Sequence, residues 1–339
     1  MTMILAIESS CDETACSIVK DGNEILSNIV SSQINVHTLY GGVVPEVASR
    51  IHVENISTVV TEAVREAGIT MDDVDAVAFT QGPGLIGSLH VGVQAAKTIA
   101  WAYNKPMLPV NHMTGHIYAN RFAIDHDLKF PLLSLVISGG HTQLIWMKDE
   151  WSFEEIGTTQ DDAIGEAYDK VSRILGTGYP GGPVIDKLAK EGKPHYTLPT
   201  PKVEGKYDFS LSGLKTATMQ MIAREERKGN EIIKADVAYA FQETALNMIV
   251  SKTIKAVEDY HPAMLVLAGG VAANSRLRVM MKEKMESYPD TELVIPPMKC
   301  CTDNAAMIGA AGYIAWKHKE FGTFDVSADP GLMMPGEEC

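Results

Sequence analysis

Met3-Ile4-Leu5-Ala6-Ile7-Glu8-Ser9-Ser10-Cys11-Asp12-Glu13-Thr14-Ala15-Cys16-Ser17-Ile18-Val19 opens the chain with two apolar runs around a polar turn. Ile4 to Ile7 and Ala15 to Val19 read as strands, and Ile25 to Val30 as a third, so three antiparallel strands are expected. A helix should start at Pro45, carry Val47, Ile51, Ile56, Val59, Val60 and Val64 on one face, and stop at Gly68. Val74 to Thr80 reads as a buried strand, Gly82 to Ser88 as a glycine loop, Val91 to Tyr103 as a helix and Met107 to Val110 as a strand. The resulting order is βββαβαβ.

The second half repeats the plan with little shared residue identity. Leu132 to Ile137 and Gln143 to Met147 flank the tight turn Ser138-Gly139-Gly140-His141-Thr142, with a further strand near Phe153 to Ile156. Helices are expected over Asp161 to Leu175, Asp236 to Tyr260, Ala272 to Glu286 and Asp303 to His318, the last with Thr302 as N-cap. Met264 to Ala268 and Leu293 to Ile295 supply the remaining strands, Arg121 to Phe130 is the linker candidate, and residues 176–235 read as an insertion carrying loops. A chain of 339 residues exceeds the roughly 250–300 that one hydrophobic core supports, so two domains are expected.

Composition narrows the class. With 45% hydrophobic and 21% charged residues the chain has the make-up of a soluble globular protein. No apolar stretch approaches the ~20 residues of a membrane helix, and Glu8, Asp12 and Glu13 interrupt the first apolar run before a signal core forms. Cys11, Cys16, Cys300, Cys301 and Cys339 form no CxxC pair, which suits a reducing compartment, and a cytoplasmic protein is expected. The net charge of −14 argues against a chain that grips nucleic acid unaided. Lys202, Lys206, Lys215, Arg224, Arg227, Lys228 and Lys234 make the only sustained basic stretch, readable as a solvated surface or as an RNA contact.

Asn111-His112-Met113-Thr114-Gly115-His116 follows a strand and places two imidazoles four residues apart, on one face of a helix. Hydrolytic zinc sites with this spacing carry Glu beside the first His, and here Met113 stands there. Asp303 either completes a His-His-Asp metal site or caps the last helix. The turns at Ser9 to Asp12 and Ser138 to His141 can cradle phosphate through successive N–H groups. Ala268-Gly269-Gly270-Val271-Ala272-Ala273-Asn274 runs from a strand toward a helix and suits an anion, but it is not GxGxxG. Gly82, Gly84 and Gly87 lack the Lys-Ser/Thr of a P-loop. Asp161, Asp162, Glu166 and Asp169 read as a solvated face, whereas Glu8, Asp12 and Glu13 beside an apolar strand can hold a metal or a hydroxyl. His37, His52, His90 and His141 read as structural.

Several of these stretches closely resemble the TsaD family: Ile7 to Thr14, Gly41-Gly42-Val43-Val44-Pro45-Glu46 with Ala48-Ser49-Arg50, His112 to His116, Ser138 to Gln143 and Tyr179-Pro180-Gly181-Gly182-Pro183. Phe209-Ser210, Ser212 to Thr216, Ala268 to Asn274 and Cys301 to Asn304 match it in order along nearly the whole chain. The resemblance implies an α/β fold of two RNase H-like domains, the actin-like ATPase fold around a central cleft. Residues 1–120 with 300–339 would form one domain and 121–299 the other. It implies transfer of the threonylcarbamoyl group from threonylcarbamoyl-AMP to N6 of the adenosine just 3′ of the anticodon, in tRNAs reading codons that begin with A, with AMP leaving. His112, His116 and Asp303 would be the metal ligands, for iron(II) ahead of zinc or magnesium. Val136, Ile137, Ser138, Gly139 and Gly140, together with Asp169, Gly182, Asp186 and Asn274, would hold the adenylate, with ATP or ADP as other nucleotides of that site. Ile137 replaces a frequent Val. Asp12 or Glu13 is the candidate for steering or accepting the amine proton.

The implied partners are tRNA, a TsaB-like non-catalytic paralogue, a TsaE-like ATPase and a threonylcarbamoyl-AMP synthase as substrate supplier, with no membrane. Sharing tRNA among subunits would reconcile an acidic chain with an RNA substrate. The helix from Pro45 to Ala67 is the candidate partner surface. Three other readings stay open on the residues alone: a metalloprotease, which Met113 disfavours, an ATPase or sugar kinase of the same fold, and a non-catalytic scaffold, which would leave the histidine pair and Asp303 without a purpose.

Overall fold

The computed structural model describes residues 1–201 and 203–335, so Lys202 of the basic stretch, Cys339 and the last residues of the 300–339 span lie outside the described residues. The chain runs through β1 (Met3–Glu8), β2 (Glu13–Lys20), β3 (Glu24–Ser32), α1 (Ile34–Thr38), α2 (Pro45–Ala67), β4 (Ala76–Gly82), α3 (Ile86–Tyr103), β5 (Met107–Asn111) and α4 (His112–Tyr118). It continues with β6 (Leu132–Ile137), β7 (Thr142–Met147), β8 (Glu154–Thr158), α5 (Ile164–Leu175), α6 (Gly181–Ala189), α7 (Ser212–Arg227) and α8 (Lys234–Tyr260). β9 (Met264–Ala268), α9 (Ser275–Met285), β10 (Glu292–Val294) and α10 (Ala305–His318) complete it.

These elements fall into two compact units, Met1–Leu128 with Glu150–Phe153 and Pro296–Cys339, and Lys129–Asp149 with Glu154–Ile295. The divisions fall at 128/129 and 295/296, and residues 150–153 join the first unit. Residues 119–123 form a 3-10 turn packed on α10, and the Arg121 guanidinium donates to the Gly22 carbonyl at 3.1 Å and lies over the Tyr313 ring. The first residues of the expected linker are therefore part of the first unit.

Both sheets have five strands in the same order. The first runs β3-β2-β1-β4-β5, the second β8-β7-β6-β9-β10. In each, the opening three strands are antiparallel and the last two are added in parallel to the first. This is the duplicated RNase H-like plan.

Strand alternation decides what each face of the first sheet meets. Leu5, Ile7, Ile18, Val77 and Phe79 point to one side, where α2 and α3 cover them with Val59, Ala63, Leu89, Val93 and Ala96. Each such side chain taken from water contributes roughly 1.5–3 kcal/mol, so this layer anchors the unit. Ile4, Ala6 and Ala78 point the other way, toward α10. There a Cβ on Gly309 would lie 2.5 Å from Val19 Cγ2, and one on Gly312 would lie 2.7 Å from Ala78 Cβ. The glycines let α10 lie almost against the strands, and Glu8 falls on that same face, one step beyond Ile4 and Ala6.

Helix ends follow local chemistry, with corrections to the sequence reading. α2 begins at Pro45 and stops at Gly68, whose φ of 67° is left-handed as its C-cap role requires. α10 is capped by Asn304, which accepts from the Met307 N–H, rather than by Thr302, so Asp303 lies outside the helix. Residues 270–273 form a 3-10 turn before Asn274 caps α9, in place of one helix from Ala272. Residues 176–235 are not only loops, since α6 and α7 lie within them. α6 starts on Gly181-Gly182, poor helix formers, yet Asp169 Oδ1 accepts from the Gly181 N–H at 2.6 Å. α7 is held at its start by Asp161, which accepts from the Leu211 and Ser212 N–H groups and from both Ser210 and Ser212 hydroxyls. Tertiary hydrogen bonds override weak propensity at both starts.

Candidate functional site

In the first unit, Asn111 ends β5 and caps α4, its side chain accepting from the Met113 and Thr114 N–H groups. The helix then presents His112 and His116 one above the other, ring centroids 4.7 Å apart. Gly115, between them, brings α4 onto α10: a Cβ there would lie 2.8 Å from Ile308 Cδ1. That approach delivers Asp303, just ahead of α10, to the histidines. Its Oδ1 is 3.6 Å from His112 Nε2 and 3.2 Å from His116 Nε2, and the ligand atoms of all three residues lie within 4.8 Å of one another.

The set fits a divalent cation on its own chemistry. His116 is fully buried, and neither ring nitrogen makes a hydrogen bond, even though Nε2 is within ion-pair distance of Asp303. A buried polar group left unpaired costs roughly 1–3 kcal/mol, which coordination would relieve. His112 is held differently. Its Nδ1 lies 2.9 Å from Glu8 Oε2, and Glu8, with no exposed surface, also accepts from the Thr80 hydroxyl at 2.6 Å and from the Ser10 N–H. Burial works to lower the His112 pKa, but the negative charges of Glu8 and Asp303 outweigh it and push it up to about 9. Burial likewise works to raise the Glu8 pKa, and the His112 charge outweighs it, so the carboxyl stays below its usual range.

Asp12 and Glu13 occupy the turn beside this cluster, both partly exposed. Glu13 Oε1 accepts from Ser32 Oγ at 2.9 Å. Burial, then the charges of Asp303 and Asp12, push Glu13 up to about 9. His52 braces the turn from α2: Nε2 donates to the Cys11 carbonyl at 2.9 Å and Nδ1 accepts from the Thr14 hydroxyl at 2.7 Å. Burial lowers the His52 pKa, with the Cys11 carbonyl opposing in part. His37 is likewise bonded at both ring nitrogens, to Gln33 and to the Val44 N–H.

The second unit brings the other predicted residues together. Val136 and Ile137 are buried in β6, so only their backbone can meet a ligand, while Gly139 and Gly140 are exposed, with open space where a Cβ would stand. The Ser138 N–H is committed to the His141 carbonyl and the Ser138 carbonyl to the Gly165 N–H, which seats the hairpin on the start of α5. Asp169 joins α5 to α6, and Asp186 joins α6 to α9 by accepting from Ser275 N at 3.2 Å and Oγ at 3.0 Å. Gly182 is partly exposed, with open space at its Cβ position. Asn274 is buried. Its Oδ1 caps α9, and its Nδ2 donates to Gln242 Oε1 at 2.9 Å and to Tyr168 OH at 3.3 Å. The amide is thus fully engaged in fixing the loop.

Two features escaped the sequence reading. In the sequence Glu8 reads as one of the turn carboxylates, whereas strand alternation from Ile4 and Ala6 puts it on the α10 face. The Tyr168–Gln242–Asn274 network carried no sequence signal. The basic stretch is partly neutralised: Lys206 pairs with Asp259 at 2.9 Å, and Arg224 and Lys228 pair with Glu225. Among the described residues no helix is long and apolar enough to cross a membrane.

Comparison with known proteins gives a consistent picture. The family model TsaD, described as tRNA N6-adenosine threonylcarbamoyltransferase, matches residues 24–310. A relative from Bacillus cereus named tRNA N6-adenosine threonylcarbamoyltransferase is 53% identical over 332 residues, covering 98% of this chain and 96% of its own. One of the same name from Listeria monocytogenes is 53% identical over 335 residues, covering 98% and 97%. Among solved structures, T. kodakarensis HypF superimposes with a TM-score of 0.62 at 14% identity, covering 94% of this chain and 48% of that one. That likeness shows a shared fold.

Proposed function

This chain belongs to the TsaD family, and from that premise we infer that it moves the threonylcarbamoyl group of L-threonylcarbamoyladenylate onto N6 of the adenosine 3′ of the anticodon, in tRNAs reading codons that begin with A, forming t6A and releasing AMP. The observation that carries the reading is identity above half with relatives of that name over 98% of the chain. The convergence of His112, His116 and Asp303 supports it.

The adenine amine is a weak nucleophile and the carbamoyl carbon a modest electrophile, so the protein must hold both substrates and stabilise charge. His112 and His116 would bind a divalent metal through Nε2, with Asp303 through its carboxylate. Two imidazoles and one carboxylate suit iron(II) or zinc better than magnesium, which prefers oxygen ligands. When bound, such a metal supplies Lewis acidity to a carbonyl or phosphate oxygen. The exposed Gly139 and Gly140 amides can donate to developing negative charge on the adenylate. Asp169 fixes the start of α6, and Asp186 and Asn274 fix that of α9, so that these residues, with the open backbone at Gly182, would frame the adenylate.

Burial first, then the charges of Asp303 and Asp12, hold the Glu13 carboxyl above its usual range, which favours its protonated form. That direction suits a donor, and a base role would require its burial and the charges of Asp303 and Asp12 to be relieved first. Asp12 is the companion candidate for steering the amine.

The test is reconstitution with tRNA, ATP, threonine, bicarbonate, a threonylcarbamoyl-AMP synthase, a TsaB-like paralogue and a TsaE-like ATPase, read by nucleoside mass spectrometry. Absence of the modified adenosine with active partners would sink the reading. Unchanged single-turnover transfer by both Asp12→Ala and Glu13→Ala would remove those residues from the proton steps.

The paralogue has a candidate seat. A groove of about 660 Å³ runs along α2 and α3, lined by Val53, Ile56, Val60, Val91, Ala95 and Ile99 among others, and Val53 is 63% exposed. Docking there would leave tRNA to be shared among subunits in the cytoplasm, which suits a net charge of −14. Ile56→Asp should abolish co-elution with the paralogue on gel filtration, and retained co-elution would move the seat elsewhere.

A further inference from the structure

We propose that Glu8 is a positioning residue for the metal centre: it holds the Nδ1–H of His112 and thereby fixes the tautomer and ring orientation that turn Nε2 toward Asp303 and His116. The proposal rests on the reading of His112, His116 and Asp303 as metal ligands and extends it to a residue that coordinates nothing.

The geometry is specific. β1 pairs in parallel with β4, Ile4 opposite Ala76 and Ala6 opposite Ala78, so the next inward positions are Glu8 and Thr80. Both are buried beneath α4. Glu8 Oε1 accepts from the Ser10 N–H, and Oε2 accepts from Thr80 Oγ1 at 2.6 Å and receives His112 Nδ1 at 2.9 Å. The Ser10 N–H and the Thr80 hydroxyl thus each meet an acceptor oxygen of Glu8, one on each side, and the Ser10 hydroxyl lies 3.2 Å from the same Nδ1, where it can accept as well. With both oxygens fixed this way, Nδ1 must be the protonated nitrogen and Nε2 the one left for coordination. A carboxylate behind a ligating histidine sets the ring and raises its basicity, and losing such a partner typically weakens metal binding by 10–100-fold.

An ion pair that merely stabilised the fold would not care which nitrogen of His112 faces Asp303. The two accounts diverge on Glu8→Gln, which keeps the size and removes the charge. If the Gln amide oxygen faces His112 and Thr80, its NH₂ opposes the Ser10 N–H; if it is turned over, its NH₂ opposes the Nδ1–H, while the Thr80 hydroxyl can turn to accept from it. Either arrangement pits donor against donor or drives His112 to the wrong tautomer.

The experiment is Co²⁺ titration of the metal-free full-length chain, followed by visible absorption, with circular dichroism to confirm folding. Wild type should bind, and Glu8→Gln should bind about 10–100-fold more weakly with an altered absorption band. Equal affinity and an unchanged band in a folded Glu8→Gln protein would overturn the proposal. Should that variant fail to fold, the wild type still tests it. With ¹⁵N-labelled histidine and Zn²⁺, the His112 signals should show a protonated Nδ1 and a metal-shifted Nε2, and ligation through Nδ1 would overturn it. Failure of the wild type to take up either ion would instead strike the metal reading itself, and the Glu8 proposal with it.

Discussion

β1 runs into Glu8, a buried carboxylate tied to His112, while the equivalent strand β6 runs into Ser138 and the exposed pair Gly139 and Gly140. The strand orders of the two sheets match, and each hairpin joins the first two strands of its sheet. At one corner, carboxylates and imidazoles crowd into a space covered by α4 and α10, where charge is costly unless it is paired. At the other, glycines leave backbone N–H groups open to solvent. A duplicated scaffold thus offers one site suited to a cation and another suited to an anion, and the residues after the first strand decide which.

The comparison can be broken most forcefully at the cation corner. Asp303→Asn or His116→Ala should cost about 3–4 kcal/mol of metal binding, several hundredfold, on the scale of roughly 10–16 kcal/mol for four-ligand zinc sites. Metal titration checks this, and a loss below tenfold would mean the cluster is not the site. The same titration should depend on pH. His112 titrates up at about 9, and its Nε2 proton must leave for a metal to bind, so affinity should fall about tenfold per unit as pH drops below that value. A flat profile between about pH 7 and 9 would show that no proton is displaced.

At the anion corner, Gly140→Val should weaken binding of ADP, a stable stand-in for the adenylate, by about tenfold, since a side chain would fill space the ligand approaches through. Stability should move by no more than about 0.5 kcal/mol, because a Cβ there meets nothing within 4 Å. Calorimetry and a thermal melt read the two, and metal affinity should be unchanged. Loss of metal binding in Gly140→Val would contradict the division of labour.

The smallest effect concerns the brace behind the first hairpin. Burial lowers the His52 pKa below the ordinary imidazole value of 6.5, so the unfolded chain binds a proton there more readily than the folded one. The stability this neutral imidazole provides is complete above that unfolded value and drains away as pH falls below it toward the folded pKa. His52→Gln should therefore show a shallower fall in melting temperature between about pH 7 and 5 than wild type. Parallel melting curves would remove His52 from the account.

The fold was legible where hydrophobic runs coincide with strands. Ile4 to Ile7 and Met264 to Ala268 are apolar stretches with clear ends, and the repeat of β-turn-β openings announced two matching sheets. α6 and α7 were not legible, because Gly181-Gly182 and the polar Ser212-Gly213 give no helix signal and their starts are held by Asp169 and Asp161 from other elements. At the site, the spacing of His112 and His116 was readable within a single helix. Asp303 is brought to them by glycines at 115, 309 and 312, whose role appears only once α10 lies on the sheet. Glu8 meets His112 across 104 residues of chain, a separation over which local pattern says nothing.

Gly115 has one more consequence. By letting α4 press on α10, it places His112 and His116 beside Asp303, so an ion held there would act as a clasp across a very long loop. Closing such a loop removes conformational freedom from the unfolded chain, and a clasp that binds only the folded form adds its own mass-action term. An ion bound there would therefore also lock α10 in place against α4.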